Sequence, residues 1–186
     1  MKFLCRDLLD SNQLNRVDSG RKLFIALMEK GLLVENDPFT VAELLYRTRQ
    51  FRLLKKMKYN KDKVCRQLKE PGKAKISSYR QLLFEVSEDI TMNDLETVKF
   101  FLLESIKVSL TMLDVLTEME KMDLLEENNA QLLEDICKEL GKNLVKKLTI
   151  TGGKTLGRYK MEVNQGAMLS YFTAATSKQC QNTKER

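Results

Sequence analysis

The sequence predicts an all-α protein built from two tandem helical units, and three observations lead to this prediction. The 186 residues include only eight Gly and two Pro, with 42% hydrophobic and 31% charged residues, a composition that favours a helical globular protein. Apolar residues recur at helical spacing along most of the chain. The two halves also resemble each other in sequence, and the length suits one large domain or two small ones.

Start and stop signals divide the first half into four predicted helices. The signals are Gly31 as the stop of a helix at about 20–30, Asp37 as a cap before Pro38, a short basic helix with Leu53 and Leu54, and Asn60 as a cap for a segment with Val64. The stretch EPGKAKISS at 70–78 then holds Pro71-Gly72 and only one large apolar residue, Ile76. It is the best break in the chain, so we predict a first domain at 1–70 and a linker at 71–76.

Capping residues also mark the helices of the second half. The predicted caps are Ser77 or Ser78, and Asn128 or Asn129, with Gly141 placed to end the last of these helices. Between them, the stretch at 91–94 restarts the chain into a helix, and a further helix is predicted at 111–121. A short helix is predicted beyond, around 144–148. We therefore predict a second domain at 77–163, with a weak last helix at 155–163, and a disordered tail at 164–186.

The repeat shows which helix the first copy lacks. KFLCRDLL at 2–9 matches KFFLLESI at 99–106, and residues 42–56 align without gaps on 133–147, a separation of 91. A predicted helix at 77–89 precedes the second copy, and the first copy has no counterpart. We expect the first unit to lack its opening helix and to expose the apolar stripe that this helix would cover.

Residue counts exclude several kinds of chemistry. The absence of His removes Ser-His and Cys-His catalysis and His-ligated metals. The four cysteines form no CxxC pair, and no secretory signal or membrane-length apolar run is present, which favours reduced thiols in a cytoplasmic protein. TGGKT at 151–155 lacks the glycine that a phosphate-binding loop needs at Leu148, so we expect no cofactor.

Several motifs, taken in order, resemble those of tandem death effector domain proteins. They are KFLCRDLL, DPFTVAELLYRTRQ, PGKAKISSYRQLLFEVSEDI and VKFFLLESI, and the resemblance covers residues 2–148. It is nearest to the prodomains of the death-receptor initiator caspases of the eight and ten types, with FLIP-like inhibitors as close relatives. The resemblance implies two death-fold bundles of six antiparallel helices, the first without its opening helix.

The resemblance also implies a function in apoptosis signalling. Proteins of this family associate through like domains with the adaptor FADD, with caspase prodomains and with FLIP-like proteins, in the death-inducing signalling complex, and they stack into open filaments. The caspase nucleophile motif QACxG and any His base are absent, so we expect a non-catalytic decoy or nucleator with neither nucleic acid nor membrane as partner.

An exposed apolar pair on the second helix of the family's second domain is implied to dock into a neighbouring domain. Phe100 and Phe101 match that pair, and Phe3 and Leu4 are its equivalent in the first copy. An apolar anchor desolvated in a pocket is the usual form of a binding hot spot. The alternative is that one of Phe100 and Phe101 belongs to the core. The sequence does not decide the exposure of Phe3 and Leu4, because the opening helix of their unit is missing.

The family's Arg-x-Asp-Leu charge motif is altered in both copies. The four positions read Gln50-Phe51-Arg52-Leu53 in the first copy and Lys142-Asn143-Leu144-Val145 in the second, so neither has the aspartate. Arg52, Lys55 and Lys142 remain candidates for basic surfaces that face acidic patches. A solvated helix face is the alternative for each.

The formal charge of +6 and pI of about 9.1 leave a second class open, a basic helical nucleic-acid-binding protein. Residues 149–186 hold six basic and two acidic residues, so most of the basic excess belongs to the irregular tail. A helical chain with one compromised bundle could also fail to fold stably. Cooperative thermal unfolding would argue against that third alternative.

Overall fold

The computed structural model describes residues 1–34, 37–102 and 111–141. Within them the chain is all-α, as predicted, and the only β-pairing is at two isolated bridges. The helices are α1 Ser11–Arg16, α2 Gly20–Glu29, α3 Phe39–Arg47, α4 Phe51–Lys56, α5 Lys61–Gln67, α6 Ser78–Asp89, α7 Met92–Phe101, α8 Met112–Lys121 and α9 Gln131–Glu139. None of the helices in these ranges is long and apolar enough to cross a membrane.

The chain separates into two compact units, Met1–Glu85 and a second that begins at Val86, so the boundary falls inside α6. In the first unit α3 packs against α4 and α5, and α1 packs against α2. The buried cluster between α3, α4 and α5 contains Phe39, Ala42, Leu45, Leu54 and Val64. In the second unit α8 and α9 each bury one apolar stripe, which includes Val115 and Met119 on α8 and Leu133 and Ile136 on α9.

Most of the predicted caps are confirmed. The side chain of Asn60 accepts a hydrogen bond from a first-turn amide, and Ser77 Oγ accepts one from the Arg80 amide at 3.1 Å. The helices predicted from 91–94 and at 111–121 are also present, and the side chains of Thr91 and Thr111 cap them. Gly31 and Gly141 follow helix ends with φ of +67° and +63°, a conformation that glycine adopts without strain. Local hydrogen bonding and backbone freedom explain why these positions could be read from sequence.

Three local predictions are wrong. The Asn128 or Asn129 cap is absent, because α9 begins at Gln131 and Asn129 instead forms a two-bond backbone bridge with Glu126. The helix after Asp37 begins at Phe39, although Asp37 Oδ1 does accept the Phe39 amide at 3.1 Å. The KFLC stretch forms only a 3-10 turn, Lys2–Cys5.

The structural repeat has a period of 92 residues, not the 91 of the gapless alignment. Gly20 and Met112 begin α2 and α8, and Phe39 and Gln131 begin α3 and α9. The positive-φ residues Gly31 and Asp123, and the bridges 34–37 and 126–129, keep the same offset. The 91-residue alignment therefore places α3 one position out of register with α9.

The predicted break contains no helix. Residues 70–77 form turns and extended chain, with Gly72 at φ +75° and Ile76 buried. The domain boundaries at 1–70 and 77–163 remain proposals. The predicted helices at 144–148 and 155–163 and the tail at 164–186 lie outside the described residues.

Candidate protein-interaction surface

Helix α7 presents Phe100 to solvent. A reciprocal capping box starts the helix, with the Asp94 amide 3.3 Å from Thr91 Oγ1 and the Thr91 amide 2.8 Å from Asp94 Oδ2. Leu95, Val98 and Leu102 follow at helical spacing and are buried, whereas Phe100 is 76% exposed. The side chain of Phe101 lies outside the described residues.

The equivalent pair in the first unit occupies core positions. Phe3 is 7% exposed and Leu4 is fully buried in the 3-10 turn. The Arg80 guanidinium lies 5.0 Å from the Phe3 ring centroid and covers its face. Phe3 and Leu4 are therefore core residues of this unit, and their role in protein interaction stays a prediction.

Two of the predicted basic residues lie on one short helix. Arg52 and Lys55 are exposed on α4, and Gln50 stands at its N-cap where the family motif has arginine. The predicted site at Lys142 lies outside the described residues. Within α4 the chain presents basic charge without the aspartate of the family's network.

An ion pair missed by sequence reasoning joins the 3-10 turn region to α6. Asp7 accepts hydrogen bonds from the Arg80 guanidinium and from Ser77 Oγ, the latter at 2.8 Å. Burial alone raises the pKa of the Asp7 carboxyl, but these hydrogen bonds and the charges of Arg80 and Arg6 outweigh it, so its pKa lies below 3.8. The partners are 70 or more positions apart, and no local pattern marks them.

A second unpredicted feature is the buried carboxylate of Glu43 on α3. Its side chain is fully buried, and its Oε1 lies 2.8 Å from both Nε and Nη2 of Arg47. The backbone amides of Lys75 and Ile76 donate to the same carboxylate at 2.8 and 3.3 Å. This carboxylate therefore joins the predicted linker to the rest of the first unit. The sequence pattern that could have predicted the buried ion pair is a Glu inside the apolar run VAELL with an Arg four residues later.

The cysteines that the structure describes have packing positions. Cys5 and Cys137 are buried and Cys65 is half-buried, and all three are free thiols, in agreement with the reduced thiols expected from the sequence. Burial raises the pKa of both the Cys5 and the Cys137 thiol to about 11. Neither buried thiol is therefore activated as a nucleophile.

Comparison with known proteins identifies one family along the chain. The family described as "Death effector domain" matches residues 1–62 and 79–151. The chain is 34% identical over 154 residues to caspase-8 of Mus musculus and 37% identical over 149 residues to caspase-10 of Homo sapiens. These matches cover 80% of this chain in both cases, and 32% and 28% of the relatives, so the chain spans about a third of their length.

Two further similarities concern an apoptosis regulator and a viral protein. The "CASP8 and FADD-like apoptosis regulator" of Mus musculus is 34% identical over 146 residues, which cover 75% of this chain and 29% of that protein. The crystal structure of the viral FLIP MC159 matches with a TM-score of 0.67 at 21% identity, over 80% of this chain and 83% of that one. At that identity the structural likeness bears on the fold, which is the fold predicted from the ordered motifs.

Proposed function

The chain belongs to the death effector domain family, and from that premise we propose that it regulates death-receptor apoptosis signalling by homotypic domain association. Its proposed partners are the adaptor FADD, initiator caspase prodomains and FLIP-like proteins, and it self-associates into filaments. One observation carries the proposal, the large aromatic side chain of Phe100 held 76% exposed on a capped helix whose other face is core. A rigid exposed aromatic side chain is the kind of anchor that dominates protein interfaces.

The proposed role is non-catalytic. The sequence has no His and no QACxG motif, and only the death effector domain regions of the caspases match. The chain would therefore recruit, seed, cap or compete, and it would do so in the cytoplasm. Buried free thiols at Cys5 and Cys137 suit such a reducing compartment.

The test is binding to a purified caspase-8 prodomain after Phe100→Ala. We expect binding to be lost, because truncation removes the apolar anchor without altering the buried face of α7. Met92→Ala is the matched control, since Met92 is 68% exposed on the same helix and its removal deletes similar apolar surface. Equal binding by a folded Phe100→Ala variant and the unmodified chain would contradict the proposal.

A filament assay separates a decoy from a nucleator. Adding the chain to assembling caspase prodomains is expected to shorten filaments and lower caspase activation if it caps or competes. Faster nucleation with more filaments identifies a seed. The Phe100→Ala variant is expected to have neither effect.

A further inference from the structure

The two units carry opposite charge, which the net charge of the whole chain conceals. Residues 1–85 hold 19 basic and ten acidic residues, a net charge of +9. Residues 86–148 hold seven basic and 14 acidic residues, a net charge of −7, and the tail at 149–186 adds +4, so the second unit as a whole carries −3. Two copies of such a chain attract each other most strongly when the first unit of one approaches the second unit of the other.

The basic unit contains an open groove between α4 and the start of α5. Its volume is about 430 Å³, and its floor consists of Phe51, Leu54 and Tyr59. Its rim carries Lys55, Lys58 and Lys61, all exposed. The Lys61 ammonium lies 4.7 Å from the Phe51 ring centroid, which holds one positive charge over the apolar floor.

The chemistry of this groove defines what it can bind. Residues 51–63 hold six basic residues against a single acidic one, Asp62. Among the described residues, no ion pair neutralises the three rim lysines. Ammonium groups around an apolar floor match an apolar side chain flanked by carboxylates.

The second unit displays such a segment in the turn between α8 and α9. Asp123, Glu126 and Glu127 are exposed there, and Leu124 is half-buried among them. Backbone hydrogen bonds hold the turn, with the Leu124 amide 2.9 Å from the Met119 carbonyl and the 126–129 bridge closed at 3.0 and 3.1 Å. The carboxylates are therefore presented on a fixed backbone, which lowers the entropy lost on binding.

We propose that the groove of the first unit binds the 123–127 turn of a second copy of this chain. The inference rests on the proposed function of homotypic association and names a surface pair for it. The contact is head-to-tail, because the groove and the turn are different surfaces, so each bound copy keeps one groove or one turn free for another. High salt weakens this association, since the attraction is between exposed charges.

The test uses charge reversal on each side. The groove variant carries Lys55→Glu, Lys58→Glu and Lys61→Glu, and the turn variant carries Asp123→Lys, Glu126→Lys and Glu127→Lys. Sedimentation velocity of the full chain at increasing concentration is expected to show self-association of the unmodified protein and its loss in each variant alone. An equimolar mixture of the two variants is expected to associate again, because each reversed surface meets its complement in the other variant.

A matched control separates the groove from net charge. Arg21→Glu, Lys69→Glu and Lys73→Glu change the charge of the first unit by the same amount on exposed side chains outside the groove. This control is expected to associate like the unmodified chain. Thermal melts followed by circular dichroism check that every variant remains folded.

Four results would overturn the inference. In the first, the control variant loses self-association as fully as the groove variant; in the second, the mixture of the groove and turn variants does not associate. In the third, the sedimentation of the unmodified chain does not depend on concentration. In the fourth, the chain binds duplex DNA in a salt-sensitive way, and only the groove variant loses that binding. Suppose that one of these results is found, but the unmodified chain still binds the caspase prodomain and Phe100→Ala abolishes that binding. The proposed function then stands, and only the groove contact is refuted. If the groove variant associates like the unmodified chain and Phe100→Ala also binds the prodomain normally, both the groove contact and the proposed function are refuted.

Discussion

Phe3 and Phe100 follow a lysine in matching stretches of the two units, yet the structure buries one and exposes the other. Phe3 is 7% exposed within a 3-10 turn, and Phe100 is 76% exposed near the end of α7. Leu95 and Val98 occupy the buried face of α7 and leave Phe100 on the opposite side, whereas Arg80 covers the ring of Phe3. Sequence equivalence within a repeat thus assigns homologous positions, but the elements packed around them decide exposure.

The acidic residues Glu43 and Asp135 differ in burial in the same way. They occupy equivalent positions at the 92-residue offset, but Glu43 is fully buried and Asp135 accepts surface hydrogen bonds from Gln131 and Lys138. The first unit places the amides of residues 75 and 76 against the carboxylate of Glu43. A conserved helix position has therefore become an internal anchor in one unit only.

Replacing Glu43 should break this contrast with the largest effect. Glu43→Ala is expected to lower the free energy of unfolding of the first unit by about 3–5 kcal/mol, because Arg47 loses its ion-pair partner and the amides of Lys75 and Ile76 lose their acceptor. Asp135→Ala is the matched control and is expected to cost about 0.5 kcal/mol. Urea unfolding followed by circular dichroism measures both, and equal costs would show that the burial of Glu43 is energetically unimportant.

Truncating one buried and one exposed apolar side chain, Leu4 and Phe100, tests whether their difference in exposure corresponds to different roles. Leu4→Ala is expected to destabilise the first unit by about 3 kcal/mol, because it leaves a cavity in the core. Phe100→Ala is expected to change stability by less than about 0.5 kcal/mol while it abolishes prodomain binding. A large stability loss for Phe100→Ala would place this ring in the core instead of at the interface.

Helix caps give a smaller contrast. Thr111 and Ser19 cap equivalent helices, but only Thr111 forms a reciprocal box, with Asp114 accepting the Thr111 amide at 3.0 Å. Thr111→Ala is expected to cost about 1 kcal/mol and Ser19→Ala about 0.5 kcal/mol, measured by urea unfolding. Similar costs for the two substitutions would mean that the reciprocal bond adds nothing.

The pH dependence of Asp7 should give the smallest effect. Its folded pKa lies below the unfolded value, so its stabilising contribution is present above about pH 4 and is lost as pH falls through the folded pKa. We expect Asp7→Asn to be less stable than the unmodified chain near neutral pH and the difference to shrink towards pH 3. A difference that stays constant between these pH values would mean that the Arg80 contact does not depend on the charge of Asp7.

Much of the fold could be read from local sequence, and the errors have local causes too. Caps at Asn60 and Ser77 depend on a side-chain oxygen within three residues of the amide that donates to it, so the local pattern carries the information. The cap expected at Asn128 or Asn129 failed because a backbone bridge to Glu126 competes for the same residues. The one-residue error in the repeat arose because four identities between 42–56 and 133–147, among them Lys55 and Lys56, favour an offset of 91, whereas the helix starts follow an offset of 92.

The candidate surface was predicted less completely. Phe100 could be named from its motif, and Arg52 and Lys55 from the basic helix, but nothing in the sequence separates Phe100 from Phe3. The groove above Phe51 could not be predicted from the sequence, because its floor and rim come from two helices and the turn between them. The opposite charges of the two units could have been counted from the sequence once the boundary at 85–86 was known.

The helical class and most helix starts could be read from the sequence, because they depend on residues a few positions apart, and the two-fold repeat and the family could be read from motifs that recur in order along the chain. The tertiary structure alone decided which aromatic ring is exposed, which carboxylate is buried and where the lysines of α4 and α5 meet. The Asp7–Arg80 pair spans 73 positions and the Glu43–Ile76 contact spans 33. Burial and charge pairing follow from such distant contacts, and no local pattern encodes them.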